Sequence, residues 1–335
     1  MTLQDHLNDK SNIILFTTRL TKELIEFWND DYNFECCLRL LNDLSLQSKI
    51  SSSTKITNKQ RFKQLLSNLF IRYIFNSILF ESESTDLNLF NKIEFDYNEY
   101  GKPILSSSSL LSSSSLLNNF QFNISNSNDI IALVIEFSSI DPIGIDLSHS
   151  IQKNISNTKY LEQFKPIFDD IYELPQINNY FKFNHFWTLK ESFTKFIGSG
   201  LNIELSDFYF IVDYNNNNNN DEFSNNNRNF QIKKRNITID NQEEEEEEGK
   251  DHNFINYSLN WFDKIFINID KLGQKNPFIN NLNKKKKIYC RSSILDNGNE
   301  FKLPVIITII NQNKNKSIKP IELRFDKILS EYLNQ

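Results

Sequence analysis

Apolar residues follow two patterns along this chain. Short unbroken or alternating runs occur at 13–18, 93–97, 130–137, 143–147, 208–212, 257–261, 265–269 and 305–310. Their length and β-branched or aromatic content predict strands. Three-and-four spacing marks helices: Phe62, Leu65, Leu66, Leu69, Phe70, Tyr73 and Ile74 describe one long amphipathic helix over 59–80, and residues 181–197 form a second. A shorter helix through 20–28 follows the first strand, and turns are expected at Tyr100-Gly101-Lys102-Pro103 and Asp141-Pro142. The longest apolar run, 304–310, has strand length, well short of the ~20 residues that span a bilayer.

These elements predict an α/β (α+β) chain. Its helix-then-strands order partly recurs in the second half, without a sequence repeat, and its 335 residues suit one large or two smaller units. Low-complexity stretches break the pattern: serine-rich 106–117, asparagine-rich 215–228, acidic 241–253 and basic 283–287. Such segments bury too little apolar surface to offset their ordering entropy, so they are expected as loops inserted between elements.

Charge and cysteine content narrow the function. The net charge of −6 excludes general nucleic-acid binding, which needs a basic excess. The acidic run Glu243 to Glu248 inflates that figure and reads as a solvated insertion. Cys36, Cys37 and Cys290 have neither metal-ligand spacing nor an even-numbered framework. Reduced thiols are expected, and with no signal-peptide pattern the protein is expected in the cytosol, without a membrane partner.

Three clusters could carry chemistry. In the strand Ile143-Gly144-Ile145-Asp146-Leu147-Ser148, alternation turns Ile143, Ile145 and Leu147 inward and puts Gly144, Asp146 and Ser148 on the other face. A carboxylate beside a glycine that admits a ligand suits a metal, although Asp146 alone also fits a strand-end turn. On the second helix Trp187, Glu191 and Lys195 stack on one face beside an apolar stripe of Phe186, Leu189, Phe193 and Phe196; alone, Glu191 and Lys195 also fit a surface i,i+4 pair. Lys102 in its turn and the segment Phe122-Asn123-Ile124-Ser125-Asn126-Ser127 can donate hydrogen bonds to phosphate, or serve as turns.

Read in order, Gly-Lys-Pro, Phe-Asn-Ile-Ser, Ile-Gly-Ile-Asp and Trp-x-x-Lys-Glu-Ser-x-x-Lys resemble the Sfp-type 4′-phosphopantetheinyl transferases. The likeness is strongest to the eukaryotic branch that serves aminoadipate-semialdehyde dehydrogenase and fatty-acid synthase. It runs from about Arg61 to Val212 and includes Gly198-Ser199-Gly200-Leu201. The resemblance implies two similar half-domains, 1–148 and 149–335, in a pseudo-twofold arrangement with coenzyme A between them. It implies that Asp146 and Glu191 hold Mg²⁺ on the coenzyme A pyrophosphate and that Lys195 contacts that pyrophosphate. Tyr97, Tyr100, Gly101 and Lys102 would help to hold the nucleotide, and Asn123, Ile124, Ser125 and Asn126 would cradle its 3′-phosphate.

The implied reaction moves phosphopantetheine from coenzyme A to a serine of apo acyl or peptidyl carrier proteins and releases 3′,5′-ADP. A monomer serving fatty-acid or polyketide synthase or an aminoadipate-type reductase is expected. A noncatalytic module that binds coenzyme A or carriers is the alternative. Two positions depart from the family. Ser148 stands where many bacterial members have a second acidic residue, and Asn126 where the family usually has histidine. Asn126 can donate a hydrogen bond to phosphate but no charge. For the base that accepts the serine proton, Asp169, Asp170, Glu173, Glu191 and a metal-bound hydroxide all stay open.

Overall fold

The computed structural model describes residues 12–52, 57–79, 89–106, 120–137, 139–149, 159–214, 253–276, 279, 282, 286–295 and 305–333. The chain begins with β1 (Ile13–Arg19), α1 (Lys22–Trp28), α2 (Asp31–Leu40), α3 (Leu44–Ser51) and α4 (Asn58–Leu79). It continues through β2 (Phe95–Tyr97), β3 (Pro103–Leu105), β4 (Phe120–Ser127), β5 (Ile130–Phe137) and β6 (Gly144–His149). Next come α5 (Tyr160–Phe164), α6 (Tyr180–Ile197), β7 (Tyr209–Val212), β8 (Phe254–Asn256), β9 (Ile265–Asn268) and α7 (Asp270–Lys275). β10 (Tyr289–Leu295), β11 (Val305–Asn311), β12 (Ile318–Leu323) and α8 (Phe325–Leu333) close the chain. The serine-rich 107–119, the asparagine-rich and acidic stretches within 215–252, and Lys284 and Lys285 lie outside the described residues.

Unbroken apolar runs become strands covered on both faces, as is usual where a sheet is sandwiched. The larger sheet has the order β4-β5-β1-β12-β8, with β1 parallel to β12 and its other neighbours antiparallel; the second has the order β10-β11-β6, all antiparallel. Ile14, Phe16, Leu133 and Ile135 on one face of the larger sheet pack with α1–α4 and α8. Ile13, Leu15, Ala132 and Val134 on its other face meet Ile145, Leu147, Ile307 and Ile309 of the second sheet. The far face of the second sheet, with Ile306 and Ile310, packs on Phe186, Leu189 and Phe193 of α6. The result is a layered order of helices, sheet, sheet, helices. Each fully buried Phe, Leu or Ile side chain contributes about 1.5–3 kcal/mol.

Local chemistry sets the helix starts. Thr21, Asp30, Asp43 and Asn179 accept from the backbone N–H of Leu24, Asn33, Leu46 and Lys182, each satisfying a donor the helix leaves orphaned. α6 stops at Gly198, whose φ of 75° is a left-handed cap.

Two expectations are corrected. The strand expected at 257–261 lies earlier, at Phe254–Asn256. Tyr257, Leu259 and Trp261 keep their alternation and pack against the inter-sheet core without belonging to a ladder strand. The segment 122–127 is not a run of turns but most of an eight-residue strand, paired with β5 along its length. β6 pairs with β11 rather than with the larger sheet, and β12 with α8 returns to the first core.

Candidate functional site

The site forms where β4 crosses β6 beneath α6. β4 alternates: Phe120, Phe122 and Ile124 face the helical core, which leaves Asn123, Ser125 and Ser127 on the opposite face. That polar row stitches to the second sheet. Asn123 Nδ2 donates to the Ile143 carbonyl at 3.3 Å and the Lys195 carbonyl at 3.1 Å. Ser125 Oγ donates to Asp146 Oδ1 at 2.9 Å and accepts from the Leu147 N–H at 3.1 Å. Ser127 Oγ and His149 Nδ1 are 2.6 Å apart.

α6 reaches this seam because Gly144 has no side chain. A Cβ there would lie 2.6 Å from the Phe196 nitrogen and closer still to the Ser192 carbonyl oxygen. The glycine admits a helix, not the ligand that the sequence suggested. Ser148, two residues beyond Asp146, donates to Asn184 Oδ1 of the same helix at 3.1 Å.

Asp146 lies inside β6 rather than at a strand end, and it is buried. Lys195 Nζ donates to its Oδ1 at 2.6 Å and to Ser125 Oγ at 3.0 Å. The ammonium thus pairs with Asp146 across the seam, at 2.6 Å, and not simply with Glu191 along the helix. Burial pushes the Asp146 carboxyl above the usual range, against the pull of Lys195 and Ser125. Burial also raises Glu191; the charge of Asp146 raises it further while Lys195 lowers it. Two carboxylates and one ammonium therefore share one electrostatic neighbourhood.

The turn after β2 docks on the end of α6. Asn98 Oδ1 accepts from the N–H of Tyr100 and Lys102, at 3.0 and 2.8 Å, while its Nδ2 donates to the Gly198 carbonyl at 2.8 Å. Gly101 takes φ 85° to close this turn. Lys102 lays its stem against Gly198, and its Nζ donates to the Phe196 carbonyl at 3.3 Å. Burial pulls its amine down to about 8. Tyr97 and Tyr100 stand exposed on the turn, Ile124 is half-buried toward the helical core, and Asn126 is exposed at the end of β4.

The acidic residues considered as bases differ sharply. Glu173 is fully buried against Lys190 at 2.9 Å and accepts from the Asp169 and Phe210 N–H groups. Lys190 in turn donates to the Leu205 and Phe208 carbonyls. Asp169 accepts from the Ile171 and Tyr172 N–H groups. Asp170 is exposed. Glu173 is thus structural, which leaves Asp170 and Glu191 as the acidic side chains without such commitments.

Among the described residues no three His, Cys, Asp or Glu groups gather as a metal cage. Asp146 with Glu191 is a two-carboxylate set of hard oxygen donors. Such a pair fits a divalent cation that takes its other ligands from phosphate and water. The mutual repulsion of the two carboxylates is what such a cation would relieve.

Sequence reading missed Asn98, the Ser127–His149 contact and the Glu173–Lys190 pair. Only the last had a visible signal, a lysine on the buried side of a Phe-rich helix. Among the described residues no helix is long and apolar enough to cross a membrane.

The family model described as the 4′-phosphopantetheinyl transferase superfamily matches residues 142–247. That span includes Asp146, Glu191 and Lys195. The chain is similar to the L-aminoadipate-semialdehyde dehydrogenase-phosphopantetheinyl transferase of Saccharomyces cerevisiae, at 28% identity over 57% of this chain and 64% of that protein. It is similar also to the 4′-phosphopantetheinyl transferase gsp of Aneurinibacillus migulanus, at 28% over 51% of this chain and 62% of that one. With the 4′-phosphopantetheinyl transferase ffp of Bacillus subtilis it shares 30% identity over 51% of this chain and 67% of that one. The match spans under two thirds of the yeast and Aneurinibacillus proteins.

Proposed function

Because the chain belongs to the 4′-phosphopantetheinyl transferase superfamily, we propose that it moves the phosphopantetheine arm of coenzyme A onto a serine of an apo carrier protein. The observation that carries this reading is the meeting of Asp146, from a strand, with Glu191 and Lys195, from a helix 45 residues later. In the reaction the carrier serine oxygen bonds to the phosphate next to pantetheine. The bond from that phosphorus to 3′,5′-ADP breaks, and the serine proton passes to a base. Such transfers need positioning and charge neutralisation above all.

Asp146 and Glu191 would hold Mg²⁺, which when bound supplies Lewis-acid neutralisation of the pyrophosphate. Lys195 supplies a fixed ammonium beside them, poised for phosphate oxygens as charge builds. Ser125 orients the Asp146 carboxylate, and Asn123 ties the helix end to β4 so that Lys195 cannot drift. Lys102, with Tyr97, Tyr100 and Gly101, would hold the nucleotide from the docked turn. Asn126, exposed at the end of β4, would complete the proposed cradle, to which Ile124 could add only its backbone because its side chain turns to the helical core. For the base, Glu191 and Asp170 are the acidic candidates, because Glu173 and Asp169 are committed to structural hydrogen bonds.

The same reading proposes two half-domains, 1–148 and 149–335, as a pseudo-twofold pair, with β6, β12 and α8 crossing between them. It proposes a cytosolic monomer that serves carrier domains of fatty-acid or polyketide synthases or an aminoadipate-type reductase. Family membership favours this over a noncatalytic binding module.

The test is direct. Purified protein given coenzyme A, Mg²⁺ and apo carriers should add phosphopantetheine mass to the carrier serine. Asp146→Ala and Glu191→Ala should abolish the gain while circular dichroism stays unchanged. No gain with any carrier from the same cell would overturn the proposal.

A further inference from the structure

Every helix ends with carbonyls that it cannot satisfy itself, and at the end of α6 other elements supply the donors. The Thr194 carbonyl accepts from the Gly198 N–H at 2.9 Å, within the cap. The acceptors beyond it are taken by side chains from outside the helix. Asn123 Nδ2 reaches the Lys195 carbonyl at 3.1 Å, Lys102 Nζ the Phe196 carbonyl at 3.3 Å and Asn98 Nδ2 the Gly198 carbonyl at 2.8 Å. Asn98 and Lys102 both come from the turn between β2 and β3.

That turn is held weakly by its own hairpin. β2 and β3 pair over three residues each, and so short a two-stranded ribbon has little stability alone. The base is anchored: Leu105 is buried in the helical core, and the Phe95 ring packs there 5.5 Å from Phe75. The tip lies against α6, whose Phe193 and Phe196 belong to the other core. The hairpin is thus a strap from one core to the other, and its tip is placed by what Asn98 and Lys102 reach.

Asn98 performs two tasks with one amide. Its Oδ1 accepts from the N–H of Tyr100 and Lys102. Its backbone donates to the Lys102 carbonyl and accepts from the Gly101 N–H, both at 3.0 Å. Those contacts shape the turn, and Nδ2 then joins the shaped turn to the helix end. An aspartate there would keep the acceptor and lose the donor. Lys102 gives one of its three N–H donors to Phe196, so its ammonium can bridge the helix end and a phosphate.

We propose that Asn98 is a positioning residue: by locking the turn onto the end of α6, it fixes the separation of Lys102 from Lys195, so that both ammoniums meet one coenzyme A. The inference rests on the proposed use of coenzyme A. Lys195 has restraints of its own in Asp146 and Ser125, so loss of Asn98 should loosen Lys102 and leave Lys195 in place.

Steady-state kinetics of the full chain with Asn98→Asp and Asn98→Ala test this. Both should raise KM for coenzyme A about tenfold, the worth of one or two hydrogen bonds, with kcat falling far less. A parent-like KM in Asn98→Asp would show that the amide only shapes the turn, and would overturn the proposal. Lys102→Met should raise KM by itself, and adding Asn98→Asp to it should raise KM little further. Fully additive losses would show that Asn98 does not act through Lys102, and would overturn it too. Hydrogen exchange without coenzyme checks the joint separately from the reaction. Asn98→Asp should speed exchange over 95–105 while α4 keeps the parent rate. Unchanged exchange over 95–105, or uniform acceleration, would overturn the joint. Acceleration confined to the hairpin of a protein that transfers nothing would sustain the joint and remove the coenzyme reading instead.

Discussion

Gly144 of β6 lies directly under Ser192 of α6, so close that a single added carbon would collide with the Ser192 carbonyl oxygen. The neighbour is helix backbone, which cannot swing aside as a side-chain tip could. Gly144→Ala should therefore lift α6 from β6 at the point where Asp146 meets Lys195. The cost to folding should be about 1–3 kcal/mol, the usual range for overpacking, read by urea denaturation. Transfer activity should fall by more than that loss explains, because Asp146 and Lys195 sit on the two elements being parted.

Ser125 touches both charged partners, donating to Asp146 and accepting from Lys195. Ser125→Ala leaves a buried carboxylate with one donor fewer, at a cost of about 1–3 kcal/mol. Its effect on catalysis should appear as a lower kcat with KM for coenzyme A little changed, since the lost contact orients Asp146. Steady-state kinetics across coenzyme A concentrations separate the two parameters. A change confined to KM would argue that the hydroxyl binds substrate instead.

Much of the fold could be read from apolar spacing, and the unread parts share a physical cause. α4 and α6 announced themselves because long helices repeat their pattern many times. The buried runs of β1, β5 and β11 did so because both faces are covered. α2 carries Phe34, Cys37 and Leu38 at helical spacing, yet its single short stripe among charged residues was too brief to stand out. β12 was masked by Pro320, tolerated because the ladder to β8 begins only at Ile321. β4 carries a weak strand signal because serines and asparagines fill the positions between Phe120, Phe122 and Ile124, which leaves turns open as well. Asp146, Glu191 and Lys195 were legible as a motif. The true partner of Lys195 was not, because a strand-to-helix contact leaves no mark in local spacing.

Glu173 and Lys190 form an ion pair with no exposed side-chain surface. Removing one partner leaves the other charge buried and unpaired, which costs about 3–5 kcal/mol. Glu173→Leu and Lys190→Met alone should each show a loss of that size in urea. The double variant should lose much less than their sum. A folded double variant that still transfers phosphopantetheine would also exclude Glu173 as the base. Additive losses would show that the pair is not coupled as its geometry requires.

Under the proposed function, Lys102 should make stability and coenzyme binding depend on pH in opposite senses. Burial pulls its amine down to about 8 in the fold, from 10.5 for a free lysine. The folded chain gives up this proton before the unfolded chain does, so the group costs stability below about pH 8. That cost fades as pH rises toward 10.5, where both states are neutral. Lys102→Met should thus be more stable than the parent near neutral pH, with the gap closing at alkaline pH in urea melts. Binding should respond the other way. As the amine discharges above about pH 8, affinity for coenzyme A should fall in the parent, whereas Lys102→Arg keeps its charge throughout and should bind with a flatter profile. Calorimetric titrations on either side of that pH compare the two, and parallel profiles would show that Lys102 serves only to hold its turn against the end of α6.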